Sequence, residues 1–178
     1  MALRVDTAGK LLRRVEDIPL YYIATMVPTN EEDDDRIARH QQNRAGSGFT
    51  TIEITRDVDL LIGRLESQSV ILLDSLTALL LNEMLGDGGK IRYQTPAKIA
   101  ADLVRLADHF DNIILVSDYI YSDAALYDEL TSAYRHALAL LDRTAASFSD
   151  VVVEACFGNY IAHKGSAVLA RLEESERP

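Results

Sequence analysis

The sequence predicts an α/β fold with a mostly parallel sheet flanked by helices. Three observations carry this. Strand-like and helix-like segments alternate along the chain. Ser69-Val-Ile-Leu-Leu-Asp74 and Asn112-Ile-Ile-Leu-Val-Ser117 are continuous apolar runs, the pattern of strands buried on both faces of a parallel sheet. No internal repeat or low-complexity linker divides the 178 residues, so residues 1–178 read as a single domain.

Residues 2–17 are mixed and read as the tail of a helix, with Gly9 opposing one long helix. Pro19 opens the strand Leu20-Tyr-Tyr-Ile-Ala, and Thr25 to Asn30 read as a loop. Thr29-Asn-Glu-Glu32 has capping-box spacing, with Thr29 as N-cap. The acidic run Glu31 to Asp35 then complements the positive end of a helix that runs to about Arg44. Phe49 to Ile54 alternates and reads as a strand; Val58 to Leu65 reads as an amphipathic helix. Leu76 to Leu85 is a helix apolar enough to be packed on both sides, and Gly86-Asp-Gly-Gly89 is a loop. Pro96 to Asp111 is a helix with Ile99, Leu103, Leu106 and Phe110 facing in. Tyr127 to Ser147 is a long helix with Leu130, Tyr134, Leu138 and Leu141 facing in. Asp150 to Phe157 reads as a last strand, and residues 166–178 as a frayed charged tail.

The net charge is −10 and the pI about 4.8. That balance excludes a general nucleic-acid binder, because phosphate backbones attract Lys and Arg. A nucleotide ligand needs only a local cluster of positive charge. The single cysteine, Cys156, forbids an intrachain disulfide and fits a reducing cytoplasm; its apolar surroundings suggest a core position. No apolar run is long enough to span a membrane.

Two features point to chemistry. Arg36, His40 and Arg44 are spaced four apart, on one face of the expected helix. A histidine between two arginines is suited to hold and attack a phosphate; a solvated helix face with an ordinary histidine is the plainer alternative. Asp74 ends a buried strand, where open α/β sheets bind ligands. It points toward a nucleotide or metal, or it caps the next helix.

The order Tyr22-Ile-Ala-Thr-Met26, acidic helix start, Arg36-Ile-Ala-Arg-His40, Phe49-Thr-Thr-Ile-Glu53 and Val70-Ile-Leu-Leu-Asp74 resembles the bifunctional adenosylcobinamide kinase / adenosylcobinamide-phosphate guanylyltransferase family. The strand Ile113 to Ser117 and the ending Asp150 to Gly158 fall where that family has later strands. The resemblance runs from about residue 20 to about residue 165. It implies a P-loop NTPase (RecA-like) fold, a homotrimer, and two late steps of cobalamin assembly. These are phosphorylation of adenosylcobinamide and transfer of GMP from GTP to its phosphate through a guanylylated histidine. GTP or ATP with Mg2+ would serve as substrates. His40 matches the GMP-carrying residue. Ala24, Thr25 and Met26 match a nucleotide-contacting loop, and Gln41, Gln42, Asn43 and Arg44 the segment after the histidine. Glu53 matches an acid suited to the guanine edge, and Asp74 a nucleotide-site acid. Arg36 and Arg44 would stabilise charge on the transferring group.

One departure qualifies this. The family begins with a buried strand and a Gly-x-x-x-x-Gly-Lys-Ser loop, which residues 1–178 do not contain; Gly9-Lys10 lacks the upstream glycine and the following Ser or Thr. Two expectations follow: either the natural start lies upstream, or triphosphate binding and the kinase step are lost. The alternative to the enzyme is a non-catalytic paralogue that binds corrinoid or a partner subunit. Without the first strand, the sheet should show unpaired edges or its neighbours should close up.

Overall fold

The structure is a computed structural model that describes residues 18–28, 46–85, 90–121 and 123–175. The expected helix from Thr29 to Arg44, the segment 2–17 and the Gly86–Gly89 loop lie outside them.

Four strands form one sheet: β1 (Leu20–Ala24), β2 (Thr50–Glu53), β3 (Val70–Asp74) and β4 (Asn112–Val116). Their order is β2-β1-β3-β4, and every pairing is parallel. Helices α1 (Leu76–Met84), α2 (Thr95–His109) and α3 (Glu129–Phe148) flank it. The α/β class with a parallel sheet is therefore as the sequence predicts.

The two-residue alternation of a strand sorts the apolar run of β3 between two cores. Ile71 and Leu73 join Ile23, Leu115 and the inner stripes of the helices. Leu72 joins Tyr22 and Val116 on the opposite face. On α2, Ile99, Leu103, Leu106 and Phe110 are all buried, as their spacing requires.

β3 pairs directly with β4 over five rungs, from Val70↔Asn112 to Asp74↔Val116.

Several elements depart from expectation. Val58–Leu61 is a 3-10 turn rather than the start of a longer helix. Asp57, at φ 52, offers no side-chain cap, and bonds such as Leu60 N–H to Asp57 O close three residues apart. α1 is not packed all round: Leu81 is exposed. On α3 the buried stripe is Ala137, Leu138, Leu141 and Ala145, while Leu130 is exposed because the first turn overshoots the core.

The strand at Asp150–Phe157 does not extend the sheet. It is β5 (Val152–Cys156), half of an antiparallel hairpin with β6 (Asn159–Lys164). Phe157 and Gly158, both at positive φ, make its two-residue turn. Cys156 is exposed there rather than in a core. Residues Ser166–Ser175 form a helix, α4, instead of a frayed tail.

Candidate functional site

The chain leaves β1 for β2 on one side, then crosses to β3 on the other. Connections that diverge in this way open a crevice at the carboxyl ends of the two central strands, where doubly wound sheets bind ligands. Register aligns the predicted site residues there. Ala24 lies opposite Glu53 on one side and Asp74 on the other, so Glu53, Ala24, Asp74 and Val116 form one row across the sheet.

One residue further on, β1 and β3 are locked together. The Thr25 hydroxyl accepts from Ser75 N–H at 2.7 Å and donates to Ser75 O at 2.8 Å. Thr25 N–H also donates to Asp74 O at 3.1 Å. Thr25 is fully buried, so these bonds replace water that it cannot reach. Across the same strands the Tyr22 hydroxyl donates to the Asp74 carboxylate.

Of the two roles open to Asp74, helix capping belongs to its neighbour. Ser75 is the N-cap of α1, and its hydroxyl accepts from Ala78 N–H at 3.3 Å. The start of α1 thus meets the crevice, and free amides at a helix start favour an anion. Beyond β4, Asp118 N–H donates to the Thr77 hydroxyl at 3.0 Å. The Tyr134 hydroxyl donates to Thr77 O at 2.8 Å. Burial, and then the charge of Asp118, pushes the Tyr134 phenol up to about 12, so it remains a donor at neutral pH.

Asn82, in the last turn of α1, closes the other side. Its side-chain amide donates to Thr25 O at 2.7 Å and to Thr55 O at 3.2 Å. Beside it, Glu83 accepts from Asp57 N–H at 3.0 Å and binds Lys98 at 2.7 Å. Lys98 also pairs with Asp102 at 3.2 Å. This charged cluster ties α1, α2 and the 3-10 turn beneath the loops.

A groove of about 250 Å³ opens on the helical face of the same sheet end. Leu115, Ala145 and Val152 are among its apolar lining. Two polar pairs border it, Tyr121 with Asp142 and His163 with Glu154, each at 2.8 Å.

Ala24, Thr25, Glu53 and Asp74 are thus gathered at one edge, with Met26 in the loop that follows. Arg36, His40, Gln41, Gln42, Asn43 and Arg44 lie outside the described residues. Sequence reasoning missed Tyr22, Ser75 and Asn82. A serine before an apolar helix is an N-cap signal and would have found Ser75; no local signal marks Asn82.

The family model for cobinamide kinase / cobinamide phosphate guanyltransferase matches residues 6–162. The chain belongs to this family. The match spans the sheet, all three flanking helices and most of the β5–β6 hairpin. No curated protein matches the chain. A cobinamide kinase/guanyltransferase family places the chain in cobalamin biosynthesis, among transferases that use nucleotide substrates. Among the described residues no helix is long and apolar enough to cross a membrane.

Magnesium accompanies such nucleotides through one or two protein carboxylates, the phosphates and water supplying the rest. Asp74, at the strand end, has the right chemistry for that limited role. No group of three or more potential metal ligands occurs among the described residues.

Proposed function

We propose that this chain transfers GMP from GTP to adenosylcobinamide phosphate through a guanylylated His40, with the nucleotide lying across the carboxyl edge of β2, β1 and β3. The row Glu53–Ala24–Asp74, with Thr25 buried beside it, is the observation that supports this reading. It gathers acid, backbone and helix start at the crevice where a parallel sheet takes its ligand.

In the proposed reaction a neutral His40 nitrogen attacks the α-phosphorus of GTP. A phosphorus–nitrogen bond forms, the bond to the β-phosphate oxygen breaks, and pyrophosphate leaves. A phosphate oxygen of the corrinoid then attacks the same phosphorus, and the histidine leaves with its electron pair restored. Arg36 and Arg44 offset the charge on the transferring group. Ala24, Thr25, Met26 and Gln41 to Arg44 contact the nucleotide, and Glu53 reads the guanine edge. Asp74 supplies an oxygen to Mg2+ or a hydrogen-bond acceptor to the nucleotide. The protein works in the cytoplasm as a homo-oligomer, a trimer by family resemblance, on a P-loop NTPase framework.

Phosphorylation of cobinamide is the other activity that the family's description names. A second reading is a corrinoid- or partner-binding paralogue without catalysis.

Incubation with α-labelled GTP and magnesium tests the first reading. The wild-type chain is expected to become covalently labelled, and His40→Ala is not. Labelling that survived His40→Ala would remove histidine from the nucleophile's role. An unlabelled wild type would favour the binding paralogue.

A further inference from the structure

We infer that Asn82 is a positioning residue that holds together the two loops bounding the nucleotide edge, just past the end of the β1–β2 ladder, and through them supports guanine selectivity. This rests on the reading of that edge as the nucleotide site. An amide NH2 has two hydrogens to donate. Here both are used, on carbonyls 30 residues apart in the chain: Thr25 O at 2.7 Å and Thr55 O at 3.2 Å. Thr25 opens the loop after β1; Thr55 lies two residues after Glu53, at the end of β2.

The clamp is itself held. Asn82 belongs to α1, and its own main-chain carbonyl accepts from Arg56 Nε at 2.9 Å. Next to it, Glu83 is buried and fixed by Lys98, and it accepts the Asp57 amide at 3.0 Å. The β2 loop is therefore gripped at Thr55, Arg56 and Asp57 by two consecutive residues of α1. Only Asn82 reaches across to the β1 loop as well. A donor-only group facing two acceptors cannot be replaced by an isosteric carboxylate, which would repel both. Glu53 is exposed; its backbone pairs with Ala24 in the β1–β2 ladder, Ile54 N–H donates to Ala24 O at 3.0 Å, and Asn82 ties the two segments again one residue further along.

The test compares the full chain with Asn82→Asp, Asn82→Ser and Asn82→Ala. Amide hydrogen exchange is followed in segments 25–28 and 54–57, and GTP and ATP affinities are measured on the same samples. In Asn82→Asp, exchange in both segments is expected to rise about tenfold while α2 is unchanged. Asn82→Ser, which keeps one donor, should fall between wild type and Asn82→Ala. The preference for GTP over ATP should narrow at least about threefold in Asn82→Asp, since the strand end that carries Glu53 is then less firmly held. Faster exchange spread evenly over the chain, or confined to one loop, would overturn the clamp. Loosened loops with unchanged selectivity would overturn its role in selectivity. A wild type with no preference for guanine would overturn the nucleotide reading alone, with the exchange arm still deciding the clamp.

Discussion

Tyr22 donates its phenolic hydrogen to the carboxylate of Asp74, from the middle of β1 to the end of β3. The two belong to adjacent strands in which Tyr22 is opposite Leu72 and Ala24 opposite Asp74, so the bond runs diagonally to a residue two rungs further along. It aims the carboxylate back along β1 rather than out over α1.

Tyr22→Phe should release that carboxylate while preserving the buried ring. The expected cost is about 1–2 kcal/mol of stability, since the acceptor is charged but half-buried and can recover some solvent. Urea unfolding would show a lower midpoint at unchanged slope. No change in midpoint would show that solvent replaces the bond fully.

Thr25→Val should cost more than an ordinary hydroxyl deletion. It removes one donor and one acceptor at once and leaves the Ser75 amide without the partner now 2.7 Å away. A loss of about 2–3 kcal/mol is expected by chemical denaturation. Thr25→Ser, which keeps the hydroxyl, should recover most of it.

Lys98→Met should remove the cation beside two buried carboxylates, leaving Glu83 with the Asp57 amide and Asp102 with Arg105. Lys98 is itself partly exposed, so the expected loss is about 2 kcal/mol rather than the full cost of breaking a buried pair. The pH dependence has a definite sign. Burial alone would lower the Lys98 pKa, but the hydrogen bonds it donates to Asp57 and Glu83, with the charge of Glu83, raise it well above its ordinary 10.5. A group whose folded pKa is raised contributes its full stability below the unfolded value and loses it as pH rises toward the folded one. The difference between wild type and Lys98→Met should therefore be flat from about pH 6 to 9 and shrink only above about 10.5. A difference that vanished by pH 8 would contradict the ion-pair assignment.

Gly165 and Gly46 both sit at positive φ, yet alanine should not cost the same at each. A Cβ at Gly165 would fall deep inside contact distance of Asp150 O and touch Val151, whereas at Gly46 it meets nothing within 4 Å. Gly46→Ala should cost about 1 kcal/mol from backbone strain alone. Gly165→Ala should cost about twice that or more, read as a larger drop in melting temperature. Equal drops would mean that α4 shifts freely to make room.

The sequence made the parallel sheet legible because its signal is local and redundant. Val70–Asp74 and Asn112–Val116 are apolar without interruption, and a strand buried on both faces requires that. The inner stripe of α2 was legible for the same reason. The β5–β6 hairpin was not. Every residue of β6 is exposed, so no burial pattern distinguishes it from a loop; only Gly158-Asn159 hints at its turn. Leu130 was misread because periodicity says which way a residue faces, not how far the core extends. At the candidate site, Asp74 was visible from its place at a strand end. Tyr22, Ser75 and Asn82 act through partners 50 or more residues away, or through both loops at once, and such pairings leave no trace in local spacing.

The order β2-β1-β3-β4 also bears on how the chain reaches this state. Thr25 and Ser75 must meet from 50 positions apart, and every sheet ladder joins strands separated by at least one connecting segment. No part of the sheet can zip up as a hairpin. The contact of α3 with α1 is as distant in the chain, Tyr134 reaching Thr77 across a separation of 57, so helix docking and docking of β1 on β3 carry similar loop-closure costs. The candidate site, built on the β1–β3 junction, therefore forms with the non-local contacts and not within any local segment.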